Sequence, residues 1–190
     1  MKRFFDIFFS FLGLMIVSIP LLFILFLVWF NDKSSPLYIA NRVGIKGKNF
    51  KMIKIRTMIK NADANKIDST SEDDNRITYI GSICRRFKID ELTQFLNILR
   101  GDMSFVGPRP NVRREVDIYT KEELKMLNIK PGLTDIASVV FSDEAKILSG
   151  KVDPNLSYNQ LIRPVDGAKF TVVYPSKGQR HLPISEKNRF

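Results

Sequence analysis

The sequence predicts an α+β fold, mainly helical: an apolar helical segment, a short β-hairpin and then a helical domain. Three observations carry that prediction. Residues 4–30 are almost wholly apolar. Two strand-like runs, Leu37–Ala40 and Phe50–Met58, flank a turn between Gly44 and Gly47. Leu92, Phe95, Leu96 and Leu99 recur at helical spacing and stop at Gly101, which reads as a C-terminal cap. The apolar run with its polar exit takes up residues 1–32.

The N-terminal run exceeds the roughly 20 apolar residues that span a bilayer. Asp6 is the only charge within it, and Ser10 and Ser18 are its other clearly polar residues. No small-residue cleavage site follows, so the segment is expected to remain in the mature protein. Pro20 near its middle removes a backbone donor and favours a kink or break, and Ser18 is placed to bond a freed carbonyl. Both flanks are basic: Lys2 and Arg3 before the run, and Lys33, Arg42, Lys46 and further lysines after it. The positive-inside rule then asks both ends to face the cytoplasm. A helix broken at Pro20 that returns on the same side satisfies it. A kinked spanning helix is the other arrangement open to this segment. Trp29 and Phe30 stand where an interfacial anchor belongs.

Within the hairpin, alternation places Lys54 and Arg56 on one face and Ile53 and Ile55 on the other. The two cations suit a diphosphate or a lipid phosphate, and equally a solvated face against anionic headgroups. The stretch from Ala62 to Asn75 mixes Asp63, Asp68, Glu72, Asp73 and Asp74 with Asn, Ser and Thr, which reads as a surface loop. Its acidic spacing does not match an EF-hand.

The helix that begins near Asp90 holds the chemistry. Asp90 and Glu91 open it, and Arg85, Arg86 and Lys88 precede them. Carboxylates, helix-start N–H groups and cations in one place point to phosphate and metal chemistry. An aspartate can attack phosphorus and form an acyl phosphate if it is ionised. Helix start and cations both favour the anion. Glu91, about 100° round the helix, is left to hold magnesium, which takes one or two carboxylates and substrate phosphates. Ordinary helix capping explains the same two acids without chemistry. Gly107-Pro108-Arg109-Pro110 fixes the backbone around Arg109 and presents its guanidinium rigidly, as an oxyanion site or a plain turn.

Formal charge of +10 over 190 residues implies an anionic partner. No nucleic-acid motif is present. One histidine, His181, excludes a multi-histidine metal site, and the single Cys84 reads as an inert buried thiol.

The apolar N-terminus with its internal proline, the Ile53-Lys54-Ile55-Arg56-Thr57-Met58 strand, and the run from Asp90 through Gly101-Asp102-Met103-Ser104-Phe105-Val106-Gly107-Pro108-Arg109-Pro110 resemble the bacterial sugar transferases. More narrowly, they resemble the monotopic polyprenyl-phosphate phosphoglycosyl transferases, over roughly residues 1–164. The resemblance implies a re-entrant membrane helix and a catalytic domain on the cytoplasmic face of the bacterial inner membrane. It implies transfer of a sugar-1-phosphate from a UDP-sugar to polyprenyl phosphate, releasing UMP. In that family the position of Asp90 is the nucleophile, that of Glu91 is associated with Mg2+, and those of Arg85 and Arg109 are linked to phosphate binding. Two departures stand out. Ser18-Ile19-Pro20 separates a serine and proline that are often adjacent, and Asp135-Ile136-Ala137-Ser138 replaces a common Gly-Trp-Ala-Gln. Sugar preference does not transfer across that change, and oligomeric state stays open.

Val112 to Leu127 is expected as one helix, with Val116, Tyr119, Leu124 and Leu127 inward. Ser142 to Lys151 reads as a short helix or loop. The resemblance thus divides the chain into a membrane segment (1–32), a cytoplasmic domain (33–164) and a tail (165–190) where the family pattern is lost, which reads as divergent, polar and open to disorder. Two further functions fit the sequence: a membrane-anchored basic module without catalysis, and a family member inactivated by its altered C-terminus.

Overall fold

The computed structural model describes residues 1–62 and 74–135. Asp63, Asp68, Glu72 and Asp73 of the acidic loop, the segment 142–151, the tail and His181 lie outside the described residues. Helix α1 runs over Lys2–Asp32 with Pro20 inside it. The expected helix-break-helix is thus one continuous helix at the level of the backbone. A proline deletes one donor, and the bonds on either side of it carry the helix past Pro20. Ser18 donates to the Met15 carbonyl at 2.9 Å. The carbonyl that Pro20 leaves without its usual donor is that of Ile16, so the expected role for Ser18 is not the one observed.

One stripe of α1 faces the domain: Arg3, Asp6, Ser10, Gly13, Leu21, Ile24 and Val28. Asp6 accepts from the Ser104 hydroxyl at 3.0 Å and from the Phe105 N–H at 3.2 Å. Arg3 donates to the carbonyls of Ile98 and Leu99, and Lys2 to that of Val106 at 2.9 Å. Gly13 lies against the Phe95 ring. Leu21 and Val28 pack on Ile55, with Ile80, Ile89 and Leu92 around them. At the far end, Arg56 makes a two-pronged ion pair with Asp32 at 2.6 Å. The opposite faces, from Phe4 and Phe5 to Phe26 and Phe30, expose apolar side chains along the whole helix. Lys33 stands over the Trp29 and Phe30 rings, 4.3 and 3.7 Å from their centres.

Strands β1 (Leu37–Val43) and β2 (Asn49–Ile55) pair antiparallel, with Leu37 opposite Ile55 and Val43 opposite Asn49. The first strand is longer than expected and the second shorter, because a 3₁₀ turn at Ile45–Gly47 sets the register. Helix α2 (Tyr79–Arg86) follows, then a 3₁₀ segment (Ile89–Gln94) that continues as α3 (Phe95–Arg100). Gly101 closes α3 at φ +93°, as its position predicts. Strands β3 (Ser104–Val106) and β4 (Gly132–Thr134) pair in parallel. Between them lie α4 (Arg113–Val116), α5 (Lys121–Leu124) and a 3₁₀ turn at Lys125–Asn128. The single helix expected there is split because Thr120 and Glu123 form a capping box that starts a new helix. Val116 is buried as expected, whereas Leu124 is exposed and Met126 takes the inward position.

The central helix is buried on two faces rather than the one expected: Leu92 and Phe95 pack into the cores as their spacing predicts. Leu96 is 37% exposed, and the buried positions are Asp90, Thr93, Gln94, Asn97 and Ile98. These five also have helical spacing and form a second, largely polar stripe that faces β2. The reason is the open edge of β2. Asn97 accepts from the Ile53 N–H at 3.0 Å and donates to the Lys51 carbonyl at 2.7 Å. Thr93 donates to the Ile53 carbonyl at 3.0 Å. Side chains thus supply the partners that a third strand would supply, satisfying an edge that is otherwise costly to bury.

Candidate active site

The side-chain ladder on β2 sets where the acidic pair sits. With Thr93 and Asn97 locked to Lys51 and Ile53, Asp90 lies one turn earlier on the same buried face. Only 8% of it is exposed, and its Oδ1 atom is buried without a hydrogen-bond partner. Glu91 lies on the adjoining face and accepts from Lys54 Nζ at 2.8 Å.

Burial pushes the Asp90 carboxyl above its ordinary range, and the neighbouring Glu91 charge adds to this. Lys54, Arg85 and Lys88 pull it back only in part. The expectation that helix start and cations would favour the anion is therefore corrected: desolvation outweighs both. Burial also acts upward on Glu91, but there Lys54 and Arg109 win, and its carboxyl is held below the usual range. The two adjacent acids are driven apart, one toward an ordinary salt-bridged anion and the other toward a poised, unpartnered carboxylate.

Arg85 comes from the last turn of α2. Desolvation acts against its charge and the Asp90 carboxylate acts for it. Its Nε donates to Thr57 Oγ1 at 2.8 Å. Arg109 sits on the turn after β3. That turn lies back to back with Lys130-Pro131-Gly132: Gly107 N–H donates to the Thr134 carbonyl at 3.1 Å, and Gly132 N–H to the Pro108 carbonyl at 2.9 Å. A Cβ on either glycine would overlap the other strand's backbone, so both positions require glycine.

Lys54, Arg85, Asp90, Glu91 and Arg109 are therefore brought together, with Lys88 beside them. Arg56 is not. It follows the end of β2 and is engaged by Asp32, so strand alternation no longer ties it to Lys54. Ser18 and Pro20 belong to α1 alone. Cys84 is buried, and its thiol is pushed up by burial and by Asp90, which keeps it an inert thiol as expected. Sequence reasoning missed Thr57, Thr93 and Asn97. The spacing 90, 93, 94, 97, 98 was the available signal.

No group of three acidic, histidine or cysteine side chains that could hold a metal occurs among the described residues. The site does not fit a dedicated all-protein cage. Glu91, with the orphaned Asp90 oxygen beside it, fits a magnesium ion that shares its coordination with substrate phosphates.

A family model for bacterial sugar transferases matches residues 1–166. The chain is 38% identical over 150 residues to the exopolysaccharide production protein ExoY of Sinorhizobium fredii, covering 71% of this chain and 66% of that protein. It is 41% identical over 106 residues to the UDP-glucose:undecaprenyl-phosphate glucose-1-phosphate transferase of Caulobacter vibrioides, covering 54% and 40%. To the UDP-N-acetylgalactosamine-undecaprenyl-phosphate N-acetylgalactosaminephosphotransferase of Aeromonas hydrophila it is 32% identical over 142 residues, covering 73% and 34%. The chain thus spans from a third to just under two thirds of the length of these relatives.

Proposed function

This chain belongs to the bacterial sugar transferase family, and on that footing we propose that it transfers a sugar-1-phosphate from a UDP-sugar to polyprenyl (undecaprenyl) phosphate. The observation that carries the reading is the buried, unpartnered Asp90 oxygen beside the Lys54–Glu91 pair and Arg85. A carboxylate that burial has raised is stripped of the water that would blunt it, and cations stand ready for the phosphate charge.

The reaction proceeds in two displacements. Asp90 attacks the sugar-bearing phosphorus; the bond to the bridging oxygen breaks, and UMP leaves with the electron pair. An oxygen of polyprenyl phosphate then attacks the same phosphorus and releases the Asp90 carboxylate. Arg85 and Arg109 hold phosphate oxygens, while Lys54 keeps Glu91 ionised and oriented. Glu91 would hold Mg2+, which when bound neutralises charge developing on the departing phosphate. The product is the lipid-linked first intermediate of a cell-surface glycan.

The membrane arrangement we propose is monotopic, with both ends of α1 on the cytoplasmic face of the inner membrane. A 31-residue helix is about 46 Å long, enough to cross a bilayer core of about 30 Å. Yet the domain touches α1 near both ends, at Arg3 and Asp6 and again at Val28 and Asp32. A domain confined to one side of the membrane reaches both ends only if both ends lie on that side. Single cysteines at Met1 and Ser34 will then react with an impermeant maleimide from the same side, and opposite labelling refutes the arrangement.

The test of the reaction is UMP release from a panel of UDP-sugars with polyprenyl phosphate and magnesium. Turnover of at least one sugar is expected, together with transfer of label from that sugar nucleotide to the protein. Asp90→Asn should abolish both. Full activity in that variant removes Asp90 from the mechanism. Anionic-lipid binding with no turnover of any sugar favours the non-catalytic basic module.

A further inference from the structure

We propose that Thr57 is a positioning residue for the phosphate site: its hydroxyl aims the Arg85 guanidinium at Asp90. This rests on the phosphate-transfer reading above. Thr57 lies two residues past β2, is 7% exposed, and carries no charge of its own.

Three positions of α2 converge on this one residue. At the helix start, Thr78 donates to the Thr57 carbonyl from its N–H at 3.0 Å and from its hydroxyl at 3.3 Å. One turn on, Gly81 lies so close that a Cβ there would overlap the Thr57 carbonyl. In the last turn, Arg85 Nε donates to Thr57 Oγ1 at 2.8 Å. Residues 78, 81 and 85 share one helical face, so the backbone of Thr57 seats the helix and its side chain receives the arginine.

The division matters. The carbonyl contacts hold α2 in place whatever side chain stands at position 57. Among the described residues the hydroxyl engages Arg85. An arginine has five donors in a planar fork. Fixing Nε leaves the terminal nitrogens to meet a phosphate in a chosen plane, which suits bidentate recognition. Without the hydroxyl the guanidinium rotates, and both the phosphate contact and its attraction for the Asp90 anion weaken. The contact is part-buried, which strengthens the bond relative to one open to solvent.

The test uses the full chain in nanodiscs, with UDP as the binding probe and UMP release as the rate. Thr57→Val is expected to weaken UDP binding and lower kcat/KM by about tenfold, the scale of a lost hydrogen bond to a charged group. Thr57→Ser keeps the hydroxyl and should stay within about threefold of the parent, since a serine offers the same acceptor. In the Arg85→Gln background, Thr57→Val should cost nothing further in either readout. Thermal unfolding confirms that each variant is folded.

Equal losses from Thr57→Val in the parent and Arg85→Gln backgrounds overturn the proposal, as does a Thr57→Ser variant as impaired as Thr57→Val. The two readings separate cleanly. If UDP binds with the expected coupling but no UDP-sugar is turned over, the reaction falls and the role of Thr57 stands. If the parent chain binds no UDP at all, both fall.

Discussion

Replacing Asn97 by alanine should destabilise the domain more than replacing any leucine of the same helix. Asn97 is fully buried and bonds both the Ile53 N–H and the Lys51 carbonyl. Alanine leaves both backbone groups without their partner, at roughly 1–3 kcal/mol each, so about 4 kcal/mol in all. That is a large share of a typical domain stability of about 5–15 kcal/mol. Leu96, at 37% exposed, has only part of its side chain to lose. Full burial of a leucine is worth about 1.5–3 kcal/mol, so Leu96→Ala should cost about 1–2 kcal/mol. The assay is urea unfolding of the full chain in detergent, followed by far-UV circular dichroism, with the slope compared between variants. Asn97→Asp adds a direction. It keeps an acceptor for Ile53 but turns an anionic oxygen toward the Lys51 carbonyl. Its deficit should shrink as pH falls and the new carboxyl gains a proton to donate. A Leu96→Ala variant as unstable as Asn97→Ala would refute the polar-ladder account and restore Leu92, Phe95, Leu96 and Leu99 as the core face.

Asp90→Asn should be more stable than the parent at neutral pH while losing turnover. Burial raises the folded-state carboxyl, so its stability contribution is complete below the unfolded value of about 3.9 and is lost as pH rises through the higher folded value. The advantage of Asp90→Asn in thermal unfolding should therefore vanish in acid, and a constant difference across pH argues against burial as the cause. Lys54→Met should lower UMP release by about tenfold or more through loss of the charged hydrogen bond to Glu91. Glu91 is shifted the other way, so its contribution is present above about 4.3 and lost as pH falls; Lys54→Met should flatten that acid-side loss in unfolding titrations. Arg56→Met removes an ion pair outside the site and should cost under about 1 kcal/mol of stability and little rate. An equal loss of rate in the Lys54 and Arg56 variants would return Arg56 to the phosphate site. Gly81→Ala forces a methyl into the Thr57 carbonyl and should lower both melting temperature and UDP binding, and unchanged values refute the close approach of α2.

How much was legible in the sequence follows from how local each signal is. The apolar N-terminal segment is a matter of composition, and nothing tertiary is needed to find a run of 27 positions in which one aspartate and two serines are the clearly polar residues. The hairpin turn, the stop at Gly101 and the rigid Gly107-Pro108-Arg109-Pro110 corner are written in residues whose backbone preferences act by themselves. Residue type and spacing drew notice to Asp90, Glu91 and the cations near them, the family resemblance supplied their expected roles, and the structure gathers Lys54, Arg85 and Arg109 around the acidic pair. The second face of the central helix was not legible. Two stripes satisfy the same 3.6-residue period, and only the open edge of β2 explains why the polar one is buried along with Leu92 and Phe95. Arg56 leaves its expected place because Asp32, 24 residues away, is its partner. The ionisation of Asp90 reversed direction for the same reason: charge can be counted along a chain, but desolvation exists only once the chain has closed around it. The sequence by itself determined the parts. Tertiary structure alone decided which of those groups lose their water, and therefore which aspartate is poised and which arginine is spent on an ion pair.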